Sequence, residues 1–198
     1  ELLLAKKYLD KLVVPYYVTP GNKDCADNLI EVFTEQLGDG VMGGPITYLV
    51  DNLPIKIASL DTTTSHDNRG LLDFKKIAAI DRVLSNNQDD PVIIFSHHPP
   101  FNLSSDNSPR FEFVNKNSIK LFNELVDRHS QIVALFCGHF HRPIRKRMGL
   151  FDANVAPPVC NLIDYSSIKN APNHIGNFQL HKFGKGHDFT TEVKMIFD

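Results

Sequence analysis

Two short, uninterrupted apolar runs constrain this chain most: Val92-Ile-Ile-Phe95 and Ile132-Val-Ala-Leu-Phe-Cys137. Each is too short for a free-standing helix. Each has the pattern of a strand with both faces buried, the kind found in parallel sheets covered by helices. Each also runs straight into a polar cluster. The first ends in Ser96-His97-His98-Pro99-Pro100, and the second in Gly138-His139-Phe140-His141-Arg142-Pro143. In an extended segment residues i and i+2 lie on the same side. His139 and His141 are therefore expected to leave their strand together and face one metal centre or two adjacent ones. Taken alone, a His-x-His pair is also what two ordinary loop histidines look like, because most histidines bind nothing.

The rest of the chain supplies the context. Leu4, Tyr8 and Leu12, with Ala5 and Leu9 beside them, predict an opening helix. Residues 13–18 are rich in β-formers and predict a strand, which ends in the turn Thr19-Pro-Gly-Asn-Lys-Asp24. Leu29, Val32, Phe33 and Leu37 predict a helix, and Gly38, Gly40, Gly43 and Gly44 a loop after it. Residues 46–50 and 55–60 are expected to pair as a hairpin, followed by Asp61 and a polar loop over 62–70. Phe74, Ile77, Ala78, Ile80 and Leu84 mark another helix, and 119–126 a further one. Short strands are expected over 144–148, 154–163, 176–183 and 189–197.

Helices thus alternate with apolar strands to about residue 137, and a β-rich tail follows. The expected fold is α/β, a layered β-sheet sandwich flanked by helices. The chain of 198 residues is expected to form a single domain, with a motif-bearing α/β part over 1–145 and a β-rich part over 146–198. In such folds sites form at the carboxyl ends of strands. Three polar clusters fall there: Gly21-Asn22, His97-His98 and His139/His141.

Composition narrows the partners. A net charge of −2 makes no electrostatic case for nucleic acid or a membrane surface. No run approaches the roughly 20 apolar residues of a membrane span. Cys25, Cys137 and Cys160 show no CxxC spacing and imply a reduced, cytoplasmic compartment, with Cys137 as a small core residue. An oligomer is compatible with all of this.

Imidazole and amide oxygen suit a borderline divalent ion such as Mn, Fe or Zn. Two such ions about 3.5–4 Å apart can clamp a phosphoryl group for in-line displacement, but they need bridging and flanking carboxylates. Asp61 is the nearest candidate carboxylate, and a turn or cap role suits it better.

Gly21-Asn-Lys-Asp24, Ser96-His-His-Pro-Pro100 and Gly138-His-Phe-His-Arg-Pro143, in that order, resemble the later motifs of the calcineurin-like metallophosphoesterases. They are most similar to the class III cyclic nucleotide phosphodiesterase branch. The resemblance implies a metal-dependent phosphoesterase whose expected partner is a small phosphate-ester substrate, either a phosphodiester such as a cyclic nucleotide or a phosphomonoester. The reaction it implies uses a hydroxide activated by two divalent ions. Position by position, Asn22, His97 and His139 would ligate one metal and His141 the other. Lys23 would take a catalytic position beside Asn22, oriented by Asp24. His98 would shape the pocket or touch substrate.

Two departures stand out. The family's Asp-x-His and Gly-Asp-x-x-Asp motifs, placed upstream of the opening helix in that pattern, are not found there. The site is therefore expected to be partial and the sequence to be a fragment of a longer product. Lys23 also stands where the family has His, and an unperturbed lysine pKa of ~10.4 matches acid–base work near neutral pH poorly. Two alternatives follow from these departures: a catalytically inactive member acting as a binding or scaffold protein, and a single structural metal site. Phe101, Phe111 and Phe113, in the loop after Pro100, are candidates either to stack on a base or to pack in the core.

Overall fold

A computed structural model describes residues 1–37, 41, 44–65, 67–102, 113–159, 174–184 and 189–197. The expected strands over 92–95 and 132–137 form the middle of a six-stranded sheet. In chain order its strands are β1 (Tyr48–Val50), β2 (Lys56–Leu60), β3 (Val92–Ser96), β4 (Ile132–Cys137), β5 (Ile144–Met148) and β6 (Phe151–Val155). The spatial order is β1-β2-β3-β4-β6-β5. Strands β2, β3, β4 and β6 run parallel, and β1 and β5 add antiparallel edges. The uninterrupted apolar runs are explained by position, since β3 and β4 are covered on both faces.

One face carries the main core. Helices α4 (Phe74–Ser85) and α5 (Asn117–Arg128) lay Ile77, Ile80, Leu84, Phe122 and Leu125 onto Leu60, Ile94, Leu135 and Cys137. Asp73 caps α4 by accepting the Lys76 N–H at 3.0 Å. The expected helix face includes Phe74, but that ring is 79% exposed because it precedes the buried stripe.

The second face is covered by a two-stranded hairpin, β7 (His174–Phe183) and β8 (Phe189–Phe197). Phe183 and Phe189 pack against Ile93, Ala134 and Phe136, which gives the layered arrangement expected of the sequence. The His181 ring lies 3.6 Å from that of Phe136, and burial pushes its pKa down to about 4. The fold thus favours neutral His181, whereas an unfolded histidine titrates near ~6.5. Stability from this contact is full above that value and is lost as pH falls towards about 4. Amide protection of the hairpin is therefore expected to fall between pH 7 and pH 5, and His181→Phe is expected to flatten that dependence. Equal protection at both pH values in the parent chain would contradict this account.

The N-terminal third differs from expectation in three places. Helix α1 (Leu2–Leu9) forms, but Leu4, Tyr8 and Leu12 are exposed, and Leu2 and Leu9 make the inward contacts. Apolar residues occur on both stripes of this helix, so periodicity alone could not choose the buried one. Residues 13–18 are not a strand. Pro15 lacks a ladder donor, and side chains hold the segment instead. Tyr48 Oη donates to the Val18 carbonyl at 2.5 Å, and Ser59 Oγ lies 2.9 Å from Thr19 Oγ1. The helix expected around Leu29–Leu37 breaks at Phe33 into α2 (Ala26–Val32) and α3 (Thr34–Leu37). Leu29, Phe33 and Leu37 are nevertheless buried against Tyr48 and Val50.

Of the strand expected over 154–163, residues 154–155 form the end of β6 and 156–159 are not strand; residues 160–163 lie outside the described residues, as do Gly38, Gly40, Gly43 and Phe111. Cys137 is a buried core residue, as expected.

Candidate metal centre

Strands β3 and β4 are parallel neighbours, so their carboxyl ends deliver His97 and His139 to the same place. The Gly138 N–H donates to the His97 carbonyl at 3.1 Å and carries the pairing past the strand ends. The next residues do not continue as extended chain. Phe140 N–H donates to the Gly138 carbonyl at 2.7 Å and closes a γ-turn around His139, whose φ is +64°. A positive φ at the centre of a γ-turn is the rare, strained form. His141 also has a positive φ, +55°. The extended alternation expected to carry His139 and His141 out of the strand is thus interrupted at His139. Phe140 is buried in the main core and anchors the turn between them, while His141 is exposed.

Asn22 arrives from the Gly21–Asp24 turn rather than from a strand. Asp24 Oδ2 accepts the Gly21 N–H at 2.8 Å, and the Gly21 carbonyl accepts the Asp24 N–H at 3.1 Å. The turn lies against the His97 ring: a Cβ on Gly21 would stand 3.4 Å from His97 Nδ1, in ordinary contact. Asp24 spends its carboxylate on this turn, and Lys23 reaches away to donate to Asn68 Oδ1 at 2.8 Å.

Three ligand-type atoms then converge. His97 Nε2 lies 3.1 Å from Asn22 Oδ1 and 3.1 Å from His139 Nδ1. Two donors about 2.1 Å from one ion, at right angles to each other, stand about 3 Å apart, so this donor set fits a shared divalent ion. Ligand atoms of His97, His98 and His139 lie within 4.8 Å of one another. Burial, helped by the neighbouring His139 and His141, pushes the His97 pKa down to about 4. The ring is neutral near pH 7, the form that ligation requires.

His98 is different. Its ring is buried, with Nδ1 2.9 Å from Thr62 Oγ1 and Nε2 3.0 Å from the Asn68 carbonyl. A carbonyl only accepts, so Nε2 carries the proton and Nδ1 accepts from the Thr62 hydroxyl. Both nitrogens are engaged by protein, which leaves His98 no lone pair for a metal. Its pKa is also pushed down to about 4, chiefly by burial.

Asp61, at the end of β2, is wholly engaged. It accepts from Ile46 N–H, Thr63 N–H, Thr63 Oγ1 and Lys76 Nζ, at 3.1, 2.8, 2.8 and 3.0 Å. Burial pushes its carboxyl up, but the Lys76 charge and the Thr63 hydrogen bonds outweigh that and hold it below the usual range. Its turn role is what the structure shows. Phe101 and Phe113 are buried in the main core, which removes them as base-stacking platforms.

The family described as Calcineurin-like phosphoesterase matches residues 1–143. The chain belongs to that family. Among relatives of this calcineurin-like phosphoesterase is a probable glycerophosphodiester phosphodiesterase of Arcobacter nitrofigilis. It is 30% identical over 146 residues, which cover 72% of this chain and 51% of that protein. A 3',5'-cyclic-nucleotide phosphodiesterase of Nostoc is 25% identical over 190 residues, covering 96% of this chain and 68% of that one. The chain spans about half the length of the two glycerophosphodiester phosphodiesterases it matches. A solved dimetal phosphatase from Danio rerio shares the fold with a TM-score of 0.63 at 15% identity, covering 77% of this chain and 63% of that one. A solved structure from Thermus thermophilus does so at 0.52 and 14%, covering 96% of this chain and 77% of that one.

Sequence reasoning missed Thr62 and Asn68, which serve His98, Lys23 and Asn22. The signal was present, because their loop also leaves the carboxyl end of a strand, β2, beside β3.

Proposed function

We propose that this chain carries part of the active site of a metal-dependent phosphodiesterase. The convergence of Asn22 Oδ1, His97 Nε2 and His139 Nδ1 carries the reading. These three residues hold one divalent ion, and His141, exposed on the same turn, serves a second. Mn, Fe and Zn suit the donor set. When bound, such ions supply Lewis-acid charge to phosphoryl oxygens and make water a stronger nucleophile. Lys23, exposed at the rim, offers a cation to a phosphoryl oxygen when it leaves Asn68. His98 holds the loop after β2 in place and does not ligate.

The substrate proposed is a small phosphodiester, in line with the activities for which the relatives are named. The proposed setting is the cytoplasm; no helix among the described residues is long and apolar enough to cross a membrane.

Mn2+ titration and hydrolysis of bis(p-nitrophenyl) phosphate test the proposal together. The 198-residue chain is expected to bind Mn2+ saturably, at fewer than two ions per chain, with weak hydrolysis. A chain that also carries Asp-x-His and Gly-Asp-x-x-Asp motifs upstream is expected to bind two ions and hydrolyse the ester at least about 100-fold faster. Two ions and full activity in residues 1–198 alone would overturn the partial-site reading. Binding by both chains with hydrolysis by neither would favour a scaffold role.

A further inference from the structure

The side chain of Asn22 can serve a metal only with its oxygen turned inward. An amide flipped by half a turn has nearly the same shape but presents N–H groups, which cannot ligate. What decides the orientation is the partner of the other half. Asn22 Nδ2 donates to the Asn68 carbonyl at 3.4 Å, and the same carbonyl accepts His98 Nε2–H at 3.0 Å. A carbonyl has two lone pairs, so it can take both donors. A flipped Asn22 would set its oxygen against that carbonyl oxygen, which repels it.

The Asn68 carbonyl is itself aimed by a tight local turn. Thr64 Oγ1 accepts the Asp67 N–H at 3.0 Å and donates to the Asp67 carbonyl at 3.1 Å. Asp67 Oδ1 accepts the Arg69 N–H at 2.9 Å, and its carboxylate clamps the Arg69 guanidinium at 2.6–3.1 Å. That guanidinium holds the Asp67 carboxyl down at about 2, so the clamp persists across the neutral range.

From these contacts we infer that the Thr64–Asp67–Arg69 turn is a positioning element: through the Asn68 carbonyl it selects the ligating face of Asn22. The inference rests on the proposed metal site. The Asn68 side chain plays no part in this selection, because it points its Oδ1 at Lys23.

Two readouts on the full 198-residue chain test it. In NMR spectra of the metal-free chain, the Asn22 side-chain N–H that faces the Asn68 carbonyl is expected to exchange with solvent more slowly than that of a free asparagine amide. Asp67→Ala is expected to remove that protection. In Co2+ titration followed by visible absorbance, Asp67→Ala is expected to weaken binding about tenfold, the low end for a residue that orients a ligand. Asn68→Ala keeps the carbonyl and is expected to stay within about twofold of the parent chain. In the Asn22→Asp background either oxygen can face the ion, so adding Asp67→Ala is expected to change affinity less than about twofold. A merely structural turn would weaken both backgrounds alike. Should Asp67→Ala fail to fold, Thr64→Val, which removes only the hydroxyl contacts, takes its place. Unchanged Asn22 protection with unchanged Co2+ affinity overturns the inference. Failure of the parent chain to bind Co2+ overturns the metal site instead, and the metal-free NMR result then stands by itself.

Discussion

His97→Ala is expected to weaken Mn2+ binding by more than about 100-fold, beyond the 10–100-fold that follows loss of an outer-sphere partner. His97 Nε2 is the atom shared by both short contacts of the centre, 3.1 Å to Asn22 Oδ1 and 3.1 Å to His139 Nδ1. Without it the remaining donors come from a turn near the N-terminus and a turn after β4. Global stability is expected to change little or to rise at acidic pH. The neutral ring, whose pKa burial has pushed down to about 4, resists a charge that the unfolded chain accepts near ~6.5. Isothermal titration with Mn2+ and thermal unfolding at pH 5 and pH 7 would read both parts. An affinity within tenfold of the parent would mean that His97 is not a ligand.

Asp61→Ala is expected to act the other way round, on the fold more than on the ion. The Asp61 and Lys76 side chains are only 7% and 11% exposed, and their oxygen and nitrogen stand 3.0 Å apart. Removing one partner of a buried pair costs about 3–5 kcal/mol, because the other charge is left without compensation. Here the Ile46 and Thr63 N–H groups lose their acceptor as well. Denaturant unfolding would measure the loss. Since the folded pKa of Asp61 is held low, its contribution is present above the unfolded value near ~3.9 and disappears as pH falls below that. A deficit under about 1 kcal/mol would remove the structural role assigned to this carboxylate.

Much of the architecture was legible because it depends on short-range pattern. The apolar runs of β3 and β4 required burial on both faces, and the hairpin around Asp51-Asn52 brought its strands together as expected. Helix α4 carries its own cap and stripe. Where pattern was ambiguous, the reading went astray. The opening helix has apolar residues on two stripes, and the structure packs Leu2 and Leu9, each partly buried, inward rather than Leu4 and Tyr8. Residues 13–18 have strand composition, but a strand exists only if a neighbour supplies its ladder. Among the described residues the segment is held through side chains of β1 and β2.

The sequence by itself determined which chemistry was available: imidazoles at the carboxyl ends of two buried strands, with an asparagine after a Pro-Gly turn. It could do so because strand ends and turns are written in local residue order. Only the tertiary structure decided how these groups meet. Asn22 and His97 are 75 positions apart and His97 and His139 are 42 apart, so their contacts depend on strand order in the sheet. The γ-turn at His139, anchored by buried Phe140, replaced the extended alternation expected between His139 and His141. The same packing gave both nitrogens of His98 to Thr62 and Asn68, and so took the histidine next to His97 out of the ligand set.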